Sequence, residues 1–274
     1  MRWMFLLLCW LPSMALAQVN VEKLRSNGVE DGLSGSANLS TAFTYGNIQF
    51  ADFGLTANKE FKANKHTAFW IMNTRFAAKR TQSDLVADPK VGLWDKDARF
   101  ANLMLQHLRY NYELTSSLWL EVFTQYEYNE FLLLDRRLVG GLGLRLALTN
   151  GEKGGVYLGT AAMVEEERLN PELIAPSEAI ERVNWRSSSY LTATYTPKDG
   201  VSWTTVLYFQ PRFDALSDFR LVGETGLSLK ISKSISFTAD ARYRRDTKPP
   251  MTPEGSAEVL PTDITIKNGI KLSW

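Results

Sequence analysis

Cysteine is all but missing from this 274-residue chain, and the single one, Cys9, sits close to the N-terminus. One cysteine excludes an internal disulfide framework and a zinc knuckle, and because Cys9 falls within the segment expected to be cleaved, the mature chain is expected to have no thiolate chemistry either. Histidine is nearly as scarce. His66 and His107 are the only two, and no His-x-x-x-His spacing exists on which a metal site could be built. No apolar run approaches the roughly 20 residues that a helix needs to cross a bilayer. Neither sign of charge dominates, with 31 basic and 30 acidic residues, which argues against a general nucleic-acid binder.

What the chain has instead is alternation. Residues 118–131 read LWLEVFTQYEYNEF. Leu118, Leu120, Val122, Thr124, Tyr126 and Tyr128 fall on one face of a strand, and Trp119, Glu121, Phe123, Gln125, Glu127 and Asn129 on the other, because strand side chains alternate with period two. Twelve such stretches are predicted: 33–45, 49–61, 66–78, 97–114, 118–131, 137–149, 155–168, 183–196, 201–213, 219–231, 234–245 and 262–274. Most are about a dozen residues, enough to cross a bilayer at a tilt.

The joints alternate too. Those after even-numbered strands are tight and carry Gly, Asn, Pro and Ser, the usual turn formers. Joints 79–96, 169–182 and 246–261 are long, and the last holds Pro249, Pro250, Pro253 and Pro261. Short periplasmic turns and longer extracellular loops characterise outer-membrane barrels. The start reads MRWMFLLLCWLPSMALA: Arg2, an apolar core, then Ala15-Leu16-Ala17 as a cleavage motif. It predicts a signal peptide over 1–17, a mature start at Gln18, a periplasmic lead-in over 18–31 and a barrel over 32–274. The expected fold is all-β: a single antiparallel transmembrane β-barrel of about 12 strands in the Gram-negative outer membrane.

Aromatic residues support a bilayer on the apolar side. Trp70, Tyr110, Tyr112, Tyr195, Trp203 and Trp274 fall near the periplasmic ends, and Tyr45, Tyr126, Tyr128, Trp185, Phe209 and Tyr243 near the outer ends. Two girdles at the interfaces account for this. A mean hydropathy of −0.20 fits as well, since half of every strand is polar. Trp274, closing the last strand, is expected to serve as the signal read by barrel-assembly machinery.

The block WLEVFTQYEYNEFLLLDRRLVGGLGLRLAL, residues 119–148, resembles the family of salt-induced outer-membrane proteins, a domain of unknown function. An aromatic, acidic strand is followed by a short loop and then Arg136-x-Leu138-x-Gly140-Gly141-x-Gly143. The opening SGSANLSTAFTYGN, residues 34–47, is similar to the family's first strand and Gly-Asn turn. The resemblance implies an outer-membrane barrel associated with salt or osmotic conditions, and no catalytic residues or cofactor.

Function then rests on the lumen. Parity turns Arg99, Arg109, Arg137, Arg145, Arg186, Arg220, Arg242 and Lys267 inward, together with Glu121, Glu127, Glu224 and Asp240. Arg75, Lys230, Arg244 and Lys271 add to the basic set, and Asp52, Glu60, Glu165 and Glu167 to the acidic one. A basic excess on a wet wall predicts a narrow channel preferring anionic or small polar solutes. The alternative is an ion-pair lattice that fills and braces a closed structural barrel, because buried charges must be paired or hydrated. Twelve strands lie between the eight that side chains fill and the sixteen that leave a channel. A third reading, a lipid-modifying enzyme, lacks a Ser two residues from either His, and metal ligands are missing as well. Expected partners are outer-membrane lipid and lipopolysaccharide, the assembly machinery and a small polar solute. Glu165-Glu166-Glu167 beside Arg136-Arg137 is expected to form a solvated rim.

Overall fold

The computed structural model describes residues 31–46, 48–88, 90, 92–253 and 259–273. The expected signal peptide over 1–17, the expected lead-in up to residue 30 and Trp274 lie outside the described residues. Twelve strands form one closed antiparallel barrel in which every strand pairs with its sequence neighbours, and β1 meets β12. They are β1 Gly32–Thr44, β2 Ile48–Ala63, β3 His66–Thr81, β4 Arg99–Thr115, β5 Leu118–Asn129, β6 Leu134–Gly151, β7 Gly154–Leu169, β8 Glu181–Lys198, β9 Val201–Pro211, β10 Phe219–Lys230, β11 Ile235–Asp246 and β12 Thr262–Ser273. Tight turns join β2–β3, β4–β5, β6–β7, β8–β9 and β10–β11. They define a turn end, and the longer connections define a loop end. Asn64, Gly154 and Gly200 adopt positive φ at the turn end (+51°, +145° and +79°), which the reversals require.

The wall is inverted relative to a water-soluble protein. Leu142, Leu158, Leu191, Leu207, Ile264 and Ile266 are exposed on the outside, while Glu127, Glu165, Arg186 and Arg145 are buried inside. Such an exterior is stable only against an apolar solvent, as in the bands of transmembrane barrels. Trp203, Tyr195 and Tyr110 stand on the outer face near the turn end, and Trp185 and Phe209 nearer the loop end.

The loop end is built rather than frayed. Leu132, Leu133, Leu134, Leu169 and Ile174 form a buried apolar cluster, with Leu173 and Val259 against it. The connections β5–β6, β7–β8 and β11–β12 all contribute. Asn170 N–H donates to Leu133 C=O at 2.8 Å, and Ala175 N–H to Met251 C=O at 2.9 Å. Leu133 sits in the left-handed region at φ 56°, a conformation that costs a non-glycine residue about 1–3 kcal/mol and here is held by this packing.

The β3–β4 connection behaves differently. A short helix, α1 (Gln82–Ala87), starts in a capping box in which Thr81 and Asp84 satisfy each other's backbone N–H groups. Hydrogen bonds from Thr81 hold the Asp84 carboxyl below its ordinary pKa. Beyond the helix, Trp94 stacks on Phe76 of the outer face at 5.8 Å.

Candidate functional site

Register explains the inner wall. Along the loop end, Glu127, Arg137 and Glu167 fall opposite one another on β5, β6 and β7, so opposite charges meet without strain. Arg137 reaches Glu127 at 2.9 Å and Glu167 at 2.5 Å. Arg220, from β10, crosses the lumen to β7, meeting Glu165 at 2.6 Å and Glu167 at 2.7 Å, and also takes Asp246 on β11 at 3.0 Å. Arg186 bridges Glu165 (2.6 Å) and Asp218 (2.9 Å). Arg244 joins Asp246 at 3.4 Å to Asp263 at 3.0 Å. The result is a continuous lattice from β5 to β12, its carboxylates and guanidiniums almost wholly buried.

Below the lattice lies an aromatic layer. Arg109 sits within 5.9 Å of the Phe69 ring, 5.3 Å of Phe123 and 5.8 Å of Tyr190, and donates to Glu121 at 3.4 Å. Tyr190 on β8 donates its hydroxyl to the same Glu121 on β5 at 2.7 Å, a second link across the lumen. Arg145 stacks over Tyr157 at 4.1 Å and Trp119 at 6.0 Å. Two glycines make room for this layer. A Cβ on Gly141 would lie 2.2 Å from the Phe123 ring, and one on Gly159 would lie 2.1 Å from Tyr190. In the Gly-rich stretch of β6, Gly141 and Gly143 thus serve close packing, whereas a Cβ at Gly140 would meet open space.

The other side of the lumen is open. A cavity of about 770 Å³ lies between β9–β12 and β1–β3, lined by Ser36, Asn58, Thr204, Ser228, Thr238 and Lys267 among others. The voids beside the lattice are only about 40 Å³ each, room for a water or so. Accessibility changes along the wall in the same sense. On β9 the inward residues run from exposed Ser202 through Thr204 to buried Val206, Tyr208 and Gln210. On β11 they run from half-buried Ser236, Thr238 and Asp240 to buried Arg242, Arg244 and Asp246. The lumen is therefore a funnel, wide at the turn end and filled at the loop end.

The residues singled out by parity separate into three groups. Glu127, Arg137, Arg186 and Arg220 belong to the lattice, and Arg109, Glu121 and Arg145 to the aromatic layer. Glu224, Asp240, Arg242 and Lys267 line the open cavity, with Arg242 paired to Glu224 at 3.1 Å.

Arg99 requires a correction. Between Ala77 and Ala78 the β3–β4 register shifts: Ala77 pairs with Ala101 but Ala78 with Arg99, leaving Phe100 as the extra residue. A bulge of this kind re-aims side chains. Phe100 turns to stack with Phe50 at 5.9 Å. Arg99 emerges on the outer face, 5.9 Å from the Phe76 ring and 3.4 Å from Glu130.

The predicted rim also changes. Only the Arg136–Glu166 pair is half-exposed, whereas Glu165 and Glu167 are buried members of the lattice. Finally, Asp218, Asp246 and Asp263 join the interior from strand ends. Four lattice arginines (Arg137, Arg186, Arg220, Arg244) meet six carboxylates, so the basic excess read from parity is largely absorbed. Of the histidines, His66 Nδ1 lies 2.6 Å from the Tyr110 hydroxyl. His107 Nδ1 lies 3.3 Å from Gln125 Oε1, over the Phe123 ring.

A family model described as "Protein of unknown function, DUF481" matches residues 38–265. None of the curated proteins matches the chain. Among solved structures, the NanC porin is 7% identical, covering 88% of this chain and 98% of its own, with a TM-score of 0.47. The KdgM porin is 11% identical over 89% and 99%, at 0.45. The translocator domain of the autotransporter NalP from Neisseria meningitidis is 10% identical over 92% and 91%, at 0.44.

Proposed function

We propose, for a chain that belongs to the DUF481 family, that it is an outer-membrane barrel conducting small polar or anionic solutes along one side of its lumen. The observation that carries this reading is the cavity of about 770 Å³ beside a lattice whose own voids are about 40 Å³. Its lining supports polar rather than apolar cargo: Ser36, Asn38, Ser40, Thr56 and Asn58 alternate with charges. Four cations (Arg75, Arg242, Lys267, Lys271) and three anions (Asp52, Glu224, Asp240) line it, so a weak preference for anions is expected. Charge rings of this sort set selectivity in pores. The apolar exterior and aromatic girdles support the outer membrane as its place, with lipid, lipopolysaccharide and the assembly machinery as partners. A role under salt or envelope stress belongs to the same proposal.

A second reading is favoured by the lattice itself. Loop-end packing this dense suits a closed barrel whose work is envelope integrity. Refolded protein in a planar bilayer distinguishes the two. Small, salt-dependent conductance steps with a slight anion preference are expected of the channel. Correctly folded protein without conductance would remove the channel and leave the structural barrel.

A further inference from the structure

The barrel's closing seam is unlike its other eleven. Strands β2 and β3 share sixteen register pairs, from Ile48–Thr81 to Ala63–His66. Strands β1 and β12 share two among the described residues, Ser36–Ser273 and Ala37–Leu272, both at the turn end. Continued in register, Asn38 would face Lys271, Ser40 would face Gly269 and Ala42 would face Lys267, but no pairing is made there. The Asn38 amide still touches the start of the gap, 3.2 Å from where a Gly269 Cβ would sit. Beyond it β1 and β12 share no register pair with each other among the described residues.

Three further observations bear on what this gap does. First, it opens from the wide cavity, since Asn38, Ser40, Thr265, Lys267 and Gly269 all line that space. Secondly, Ser40 and Lys267 at the gap are both exposed, although Thr265 is buried, whereas inward residues at similar height on β8 are all buried. Thirdly, the outer lips are apolar. Leu39 is 68% exposed, Phe43 63%, Ile264 66% and Ile266 77%. A polar chamber thus adjoins the apolar exterior at a slot, a stretch of wall that no β1–β12 ladder closes among the described residues. Backbone polar groups are not left facing hydrocarbon, so the slot suits an occupant that offers polar atoms at its inner edge and an alkyl chain at its outer edge.

We infer that the β1–β12 seam is a lateral port through which a glycerophospholipid enters the cavity headgroup first, leaving its acyl chains against Leu39, Phe43, Ile264 and Ile266. The inner charges fit a phosphate. Lys267 forms no ion pair among the described residues and stands at the slot, and Arg242 and Arg75 lie on the neighbouring wall, each also held to a carboxylate. The amide of Asn38 and the hydroxyl of Ser40 are placed to meet glycerol and ester oxygens. This rests on the reading of the exterior as lipid-facing.

The test uses the whole chain reconstituted in phosphatidylglycerol vesicles. The photoreactive residue p-benzoylphenylalanine replaces Thr238 inside the cavity or, as a control, Leu142 on the outer wall. Cross-linked adducts are identified by mass. A second set carries Thr41→Cys and Asn268→Cys, which face one another in the continued register and can be closed as a disulfide. Phosphatidylglycerol adducts are expected at both 238 and 142, with loss of the 238 adduct on oxidation and recovery on reduction. Adducts at 142 without any at 238 would overturn the port while leaving the barrel in its bilayer. A 238 adduct indifferent to the staple would overturn the seam as the route. No lipid adduct at 142 would overturn the lipid-facing exterior and the port together. Chain-to-chain adducts in place of lipid, with benzoylphenylalanine at Thr41, would assign the open edges to a second copy and overturn the port.

Discussion

Removing Arg220 is the sharpest test of the filled loop end. Its guanidinium contacts three buried carboxylates, Glu165 at 2.6 Å, Glu167 at 2.7 Å and Asp246 at 3.0 Å. Each keeps a second arginine if Arg220 is lost: Arg186 for Glu165, Arg137 for Glu167 and Arg244 for Asp246. Breaking a buried pair by deleting one partner costs about 3–5 kcal/mol. Because none of the three carboxylates is left without a cation, Arg220→Met should cost about one such penalty rather than three, again about 3–5 kcal/mol. Urea unfolding in lipid vesicles, followed by the heat-dependent gel shift of the barrel, reads this directly. Arg136→Met is the comparison. The side chains of Arg136 and Glu166 are 40% and 44% exposed, and a pair of that kind is worth about 0–1 kcal/mol. Adding Glu165→Gln to Arg220→Met should recover part of the loss, since it removes one of the excess negative charges. Conductance should rise as well, because Arg220 spans from β10 to β7. A cost for Arg220→Met no larger than for Arg136→Met would refute the reasoning. Water would then be screening the lattice, and the loop end would not be a plug.

Other expectations follow from the wall, the chamber and the loop. Leu227→Arg puts a charge on the outer face and should cost about 2–4 kcal/mol near the midplane, whereas Ser228→Arg points into the cavity and should cost less; equal losses in vesicle unfolding would contradict the assigned faces. Lys267→Gln leaves three cations against three anions around the cavity. The reversal potential under a salt gradient should move toward zero, more at low salt, since the Debye length is about 10 Å at 0.1 M. Gly159→Ala forces the Tyr190 ring off the wall and breaks its bond to Glu121, an overpacking loss of about 1–3 kcal/mol; an unchanged unfolding midpoint would count against the aromatic layer. The Asp84 pKa is depressed in the fold, so its contribution to the α1 cap is present above the unfolded-state value and lost as pH falls through the lower folded one. Amide exchange across Gln82–Ala87 should therefore stay slow until the pH drops below the ordinary aspartate range, and Asp84→Asn should abolish that step.

Much of this was legible in the residues. Alternation places all twelve strands to within a few positions, because a wall with lipid on one side and polar groups on the other must repeat every two residues. The same parity directs Glu127, Arg137 and Arg186 inward. It fails at Arg99, where one extra residue in β4 reverses the phase and nothing local in RFANL marks the bulge. It is silent on Asp218 and Asp246, which fall just outside the predicted strands 219–231 and 234–245. It also cannot apportion charges between lattice and cavity. That depends on which strands face each other across the lumen: Arg220 and Glu165 are 55 positions apart. The loop-end cluster escaped for a similar reason. Leu132, Leu169, Ile174 and Val259 are unremarkable one by one and form a core only because three connections converge.

The weak seam has a consequence for how the barrel holds its shape. Eleven of its strand pairs are hairpins, tethered by their own connections. A hairpin that frays is kept at high effective concentration by its turn and re-forms at once. Strands β1 and β12 have no such tether; only the curvature imposed by the other ten strands brings them together. The lattice stiffens the arc from β5 to β12, whereas β1 to β3 is braced mainly by its ladder and the Asp52–Arg75 pair. The cylinder thus resembles a split ring with a rigid back and a compliant lip. Bending should concentrate at the lip, so changes in lateral pressure of the surrounding bilayer would alter the width of the slot before they disturbed any hairpin.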